Sequence, residues 1–149
     1  MDETDKRLEK FLRDWAASRD PSYFEIVTKP ETKGGPMSFH IHPINPNSAT
    51  AALWVGDDGS SVSFSVGRGL WWDGVMPLES TAVKSLLETV AAGQVQEQVR
   101  RIFGRVVALR GLVGTPNTKQ YRYGQINPFS IVPGLKWESI AYEPYFSYT

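Results

Sequence analysis

The chain has 149 residues, with 16 cationic and 16 acidic side chains, and 41% of its residues are hydrophobic. This composition argues against extended disorder and predicts a single globular domain over residues 1–149. Cysteine is absent, which excludes disulfides, thiolate metal sites and cysteine nucleophiles. Because no apolar leader and no membrane-length apolar run is present, we expect a cytoplasmic protein without a membrane partner.

The first predicted element is an amphipathic helix over residues 4–18. Its apolar residues recur at the i, i+3, i+4, i+7 spacing and form one stripe: Leu8, Phe11, Leu12 and Trp15. Asp20 precedes Pro21, and a residue before proline avoids the helical region, so the helix is predicted to end before this pair.

Several strands should follow this helix. Residues 23–29 and 38–42 have strand-like patterns, and residues 49–55 and 61–66 flank an Asp58-Gly59 turn typical of a hairpin. The turn predicts a register in which the facing residues of one face are all apolar. The predicted pairs are Val55 with Val62, Leu53 with Phe64, and Ala51 with Val66.

A central helix is predicted at about residues 80–92, with Ser80 as its N-cap and Gly93 just past its C-terminus. Its buried stripe comprises Val83, Leu86, Leu87 and Val90. Beyond Gly93 the apolar positions shift by roughly 130° around a continued helix, so the helix should not extend further.

Residues 95–113 form either a second helix or a hairpin with strands 95–101 and 105–113. The β-branched pair Val106-Val107 favours the hairpin, turning at Phe103-Gly104. Its register would place Glu97 opposite Arg110 as a favourable cross-strand pair.

Two further strand candidates complete the chain, at residues 119–123 and 135–142. The predicted fold is α+β: an N-terminal helix, antiparallel strands, the central helix and further antiparallel strands. Its helices are expected to pack on one face of a curved sheet.

Charge is unevenly distributed along the chain. Residues 98–137, the cationic window, carry seven cations and no acid, whereas the remainder has a net charge of −7. The binding candidates in the window are Arg100, Arg105, Arg110, Tyr121 and Arg122. Such side chains suit phosphates, bases or an acidic protein surface. Nucleic acid is disfavoured because the sequence pI is 6.7.

Two structural considerations weaken a single cationic patch. Neighbouring residues on a strand point to opposite faces, so Arg100 and Arg101 should not share one surface. The alternative to a binding patch is that the acidic N-terminal helix covers the basic sheet and neutralises its charge internally.

Metal binding is one hypothesis for His40 and His42, whose rings share a face of the 38–42 strand. Two imidazoles need a third ligand, which Asp57, Asp58 or Asp73 would supply through the fold. The alternative is that both histidines are simply exposed strand residues.

Aromatic residues provide the remaining candidates. The segment Trp71-Trp72-Asp73 combines an acid with two indoles, which is compatible with acid–base chemistry but equally with a turn and core packing. Trp54 is predicted on a strand face of small residues, where it either lines a shallow pocket or is covered by a helix.

No nucleotide-binding glycine motif or serine-hydrolase elbow occurs in the sequence. We therefore expect a non-enzymatic protein-interaction domain, with a protein partner or a second copy in a homodimer, and no cofactor. The alternative is a domain that binds or transforms a small molecule. Its pocket on the concave sheet face would be lined by Trp54, His40, His42 and Asp73.

Overall fold

The computed structural model describes residues 2–30, 37–56, 58–68, 70–117, 119–126 and 134–147. At positions 70, 71, 73–75, 123, 125, 126 and 147 it describes the backbone alone. Helix α1 spans Glu3–Ala17, helix α2 spans Thr81–Ala91, and short 3₁₀ helices cover Pro21–Tyr23 and Tyr145–Ser147. No helix in these described stretches is long and apolar enough to cross a membrane.

The described strands form two antiparallel sheets, which confirms the predicted α+β class. The first sheet has the order β1-β2-β3-β4-β5. Its strands are Phe24–Pro30, Met37–Pro43, Ala51–Val55, Ser61–Val66 and Leu70–Pro77. The second sheet has the order β8-β7-β6-β9. In chain order, β6 to β9 are Val95–Ile102, Arg105–Val113, Tyr121–Ile126 and Glu138–Ala141.

Helix α2 begins and ends where the sequence predicts, at the Ser80 cap and before Gly93. The Ser80 side chain accepts a hydrogen bond from the Val83 backbone N–H at 3.3 Å, which satisfies one free donor of the first turn. Gly93 follows the helix with a φ of +76°, a conformation that favours glycine. The predicted start and end of this helix are therefore confirmed.

The β3–β4 hairpin has the predicted register, in which Leu53 faces Phe64. Asp58 holds the connection, because its carboxylate accepts backbone hydrogen bonds from Ser60 and Ser61, each at 3.0 Å. The Ser60 bond is the largest of the effects that lower the pKa of this exposed carboxyl. The side chain thus stabilises the turn in addition to the pairing of the two strands.

One apolar core lies against a single face of each sheet. The α1 stripe, the α2 stripe and the inward residues of both sheets belong to the same buried cluster. Its fully enclosed members include Leu8, Phe39, Leu53, Phe64, Leu87 and Val99. The opposite face of each sheet points away from this core.

Strands β6 and β7 form the predicted hairpin, turning at Phe103 and Gly104. The pairing changes along the hairpin, because Arg101 faces Val106 whereas Arg100 faces Ala108. Val107 is therefore an extra residue on β7, as in a β-bulge.

The bulge overturns one prediction. Glu97 does not face Arg110: it faces Gly111, and Gln98 faces Arg110 instead. A regular hairpin with the same turn would have paired Glu97 with Arg110, but the extra residue shifts every later pair by one position.

Candidate binding face on the second sheet

The outward face of the second sheet carries a half-open concavity of about 670 Å³, here called the arginine cleft. Its volume falls within the range of about 300–1,000 Å³ that is usual for small-molecule sites. Its principal lining side chains come from all four strands: Gln96, Gln98, Arg110, Leu112, Arg122 and Ser139.

Trp137 contacts two arginines of the second sheet, of which Arg110 lines the cleft. The guanidinium carbon of Arg100 lies 4.3 Å from the centre of the indole ring, and that of Arg110 lies 4.0 Å from it. Arg110 also donates its Nε–H to Gln98 Oε1 at 2.5 Å. Each cation–π contact at a partly exposed site contributes about 0.5–1 kcal/mol, so both guanidiniums are held in place before any ligand arrives.

The arginines of this face have no counter-ion among the described residues. Arg100, Arg110 and Arg122 form no ion pair there, and the one described ion pair of the cationic window joins Arg101 to Glu138 at 3.1 Å. The described ion pairs of helix α1 do not involve the cationic window, because Arg7 pairs with Glu79 and the other two pairs join residues within the helix. Among the described residues, helix α1 therefore forms no ion pair with the cationic window, and the expected neutralisation by this helix is not found.

Arg100 carries an additional cost. Its Nε–H is buried and has no acceptor within the described structure. An unsatisfied buried donor costs about 1–3 kcal/mol, so Arg100 is not an optimal residue for stability at this position.

A buried carboxylate lies beneath the cleft, on the core side of β6. Glu97 is only 1% exposed, and its Oε1 accepts hydrogen bonds from the Arg68 backbone N–H at 2.8 Å and from Tyr142 Oη at 2.9 Å. Its Oε2 has no partner in the described residues. Burial raises the pKa of Glu97 and is also the main reason that the pKa of Tyr142 is raised.

The tip of the β6–β7 hairpin is an exposed apolar point. Phe103 is 100% exposed and has a φ of +50°, and nearby Val106 is 45% exposed. For a residue other than glycine, the left-handed conformation costs about 1–2 kcal/mol. Arg105 follows the turn and is also exposed.

Trp54 lies on the outward face of the first sheet, directly opposite Ser63. Its neighbour Leu53 belongs to the core, so the stripes of α1 and α2 pack against the other face of the sheet. The indole is half-buried. Because both helices pack on the other face of the sheet, neither of them covers the indole.

The two histidines do lie side by side on that face. Their ring centres are 5.9 Å apart with an interplanar angle of 10°, and His40 Nε2 is 2.9 Å from Ser38 Oγ. Across the described residues, no group of three His, Asp or Glu side chains could hold a metal ion. The metal site stays a prediction, since Asp57 and the Asp73 side chain lie outside the described part of the structure.

Trp72 is half-buried and packs against the core. Its ring centre is 4.7 Å from that of Phe64 and 5.9 Å from that of Tyr121, and its Nε1–H donates to the Arg122 carbonyl at 3.2 Å. These contacts join the two sheets, so Trp72 and Tyr121 have a packing role. The side chain of Trp71 lies outside the described residues.

The structure thus brings together Arg100, Arg110 and Arg122 on one face, whereas Arg105 lies at the hairpin tip and Tyr121 packs towards the core. Sequence reasoning missed Trp137 and the exposed side chain of Phe103. The Phe103-Gly104 turn was a usable signal, because phenylalanine is an unusual choice for a turn residue with positive φ.

The fold and this face define an α+β domain with a cationic, aromatic outer sheet surface. No family model, no curated protein and no solved structure matches the chain. Function must therefore be inferred from the chemistry of the surface itself.

Proposed function

We propose that this protein is a non-enzymatic protein-interaction domain that contacts its partner through the tip of the β6–β7 hairpin. The observation that supports this proposal most directly is Phe103, which is fully exposed and has a φ of +50°. Strained and exposed positions of this kind cluster at binding sites.

The choice of phenylalanine is unfavourable for the isolated fold on two counts. A two-residue hairpin turn with positive φ prefers asparagine at the first position. The exposed phenylalanine ring is also not stabilised by burial in the protein's own core. Burying the ring in a partner would recover about 1.5–3 kcal/mol, which is comparable to or larger than the conformational cost of about 1–2 kcal/mol. Phe103 therefore fits the role of an interface anchor.

The surrounding charge indicates the chemistry of the partner. Arg105 flanks the ring, and the cationic window around the tip contains no acidic residue. We expect a partner surface with an apolar pocket and an acidic rim, since complementary charge promotes encounter and selects the partner. The remaining residues of a second copy of this chain have a net charge of −7, so a second copy is one candidate partner.

The decisive variant is Phe103→Asn. Because asparagine tolerates the left-handed conformation, the variant should be more stable than the wild type by about 0.5–1 kcal/mol in urea unfolding. It should also lose partner capture. A variant that is less stable than the wild type would show that Phe103 serves the fold, and the proposal would be wrong.

Partner contact at the tip is mapped in an otherwise wild-type chain with a photo-crosslinking amino acid in place of Phe103, and capture by Phe103→Asn is compared with that by the wild type in a pull-down. The matched control has the same group at Ile44, which is 53% exposed and lies between β2 and β3, far from the hairpin in sequence. A discrete adduct at 103 and not at 44, or self-association by sedimentation that Phe103→Asn abolishes, supports the proposal. Equal labelling at both positions together with a monomer at all concentrations rejects it.

A further inference from the structure

We infer that the arginine cleft binds a small polyanion that carries at least two carboxylate or phosphate groups. This inference is independent of the proposed protein contact at the hairpin tip. It is based on three arginines that share the outward face of the second sheet and have no counter-ion among the described residues.

The guanidiniums are arranged before binding. Arg100 and Arg110 both lie over the Trp137 ring, and Gln98 accepts from Arg110 Nε. Arg122 lies on the neighbouring strand, where it pairs with Leu112 and donates to Gln120 Oε1 at 3.3 Å. An arginine held in this way loses little conformational entropy when it forms bidentate hydrogen bonds with a carboxylate or phosphate.

The number and spacing of the arginines favour more than one anionic group. Arg110 faces Gly124 and Arg122 faces Leu112, so the two arginines are diagonal neighbours on adjacent strands, about 7–8 Å apart, and can engage two groups of one molecule. Neutral donors and acceptors complete the lining, including Gln96, Gln98 and Ser139. Glu97 borders the cleft, but its carboxylate is buried on the core side and does not repel an anion directly.

The dimensions of the cleft favour a small molecule over a polymer. A concavity of about 670 Å³ has the volume of a small-ligand site. A strand-binding surface would present aromatic faces for bases, whereas the Trp137 face is occupied by guanidiniums. Free polyanions and acidic side chains of a protein share the same chemistry, so the experiment must separate these two sources.

The test is isothermal titration of the full chain with citrate, pyrophosphate, inorganic phosphate and a hexaglutamate peptide. Citrate or pyrophosphate should bind with a dissociation constant of about 1 mM or lower, and more tightly than inorganic phosphate. Arg110→Gln should weaken binding about tenfold, because it removes one bidentate partner. Arg105→Gln removes the same charge at the exposed hairpin tip and should change affinity by no more than about twofold.

Three outcomes overturn the inference. The first is that neither citrate nor pyrophosphate binds at about 1 mM. The second is that Arg110→Gln and Arg105→Gln weaken anion binding equally, which would show that the anions are attracted by the net charge of the protein and not by the cleft. The third is a hexaglutamate affinity at least about tenfold tighter than that of either small polyanion, which would assign the cleft to a protein partner. Thermal unfolding of each variant confirms that the exposed substitutions leave the fold intact.

Discussion

Gly67 offers the sharpest test of the packing around the buried carboxylate. It has a φ of +63°, and a Cβ at this position would lie 1.8 Å from Glu97 Oε1. In Gly67→Ala the carboxylate must move, which disrupts its hydrogen bonds from the Arg68 backbone and Tyr142. The backbone conformation costs about 1–2 kcal/mol and the two hydrogen bonds about 1 kcal/mol each, so we expect a loss of about 3–4 kcal/mol.

Urea unfolding of a double-mutant cycle measures the steric part directly. In a Glu97→Ala background, Gly67→Ala should cost only the backbone penalty of about 1–2 kcal/mol, which leaves a coupling of about 2 kcal/mol. The matched control is Gly59→Ala, since Gly59 has a φ of +73° but a Cβ added there would meet nothing within 4 Å. If Gly67→Ala lowers the free energy of unfolding equally in both backgrounds, the collision with Glu97 is not the cause of the destabilisation.

Two further predictions concern stability. Because burial raises the folded-state pKa of Glu97 above its ordinary value of 4.5, its contribution to stability is greatest below that pH and declines as pH rises through the raised pKa. In urea unfolding over a pH series, the wild type should therefore lose stability relative to Glu97→Gln as the pH rises above 4.5. A difference in the free energy of unfolding that does not change with pH would contradict this prediction. Ser80→Ala removes the cap on Val83 N–H and should cost about 1 kcal/mol, whereas an unchanged urea midpoint would mean that the cap is replaced by water.

Local patterns were sufficient to predict most of the secondary structure. Each helix has an apolar stripe and a stop signal within its own sequence, and the register of the β3–β4 hairpin is determined by its turn and its facing apolar residues. The last strands were less accurately placed, since β8 begins at Tyr121 where the sequence suggested residue 119. Short strands without strict alternation have weak boundaries.

The candidate site was harder to predict because its contacts are distant in the sequence. Arg100, Arg110 and Trp137 meet only when β9 pairs with β6, a contact between segments about 40 residues apart in the chain. Charge counting identified the cationic window, but it could not show which arginines share a face. Tyr121 was included for its position among the cations, yet its half-buried ring packs edge-on against Phe64 of the core.

The bulge at Val107 connects the core to the candidate site. Without it, the regular register would pair Arg110 with Glu97 and turn the arginine towards the core face. With it, Leu109 and Val113 are buried, while Arg110 points outward and reaches Gln98 and Trp137. One inserted residue thus determines both the apolar packing of β7 and the position of the central arginine of the cleft. Bulges that re-aim a side chain are common beside binding sites, and this one has that effect on Arg110.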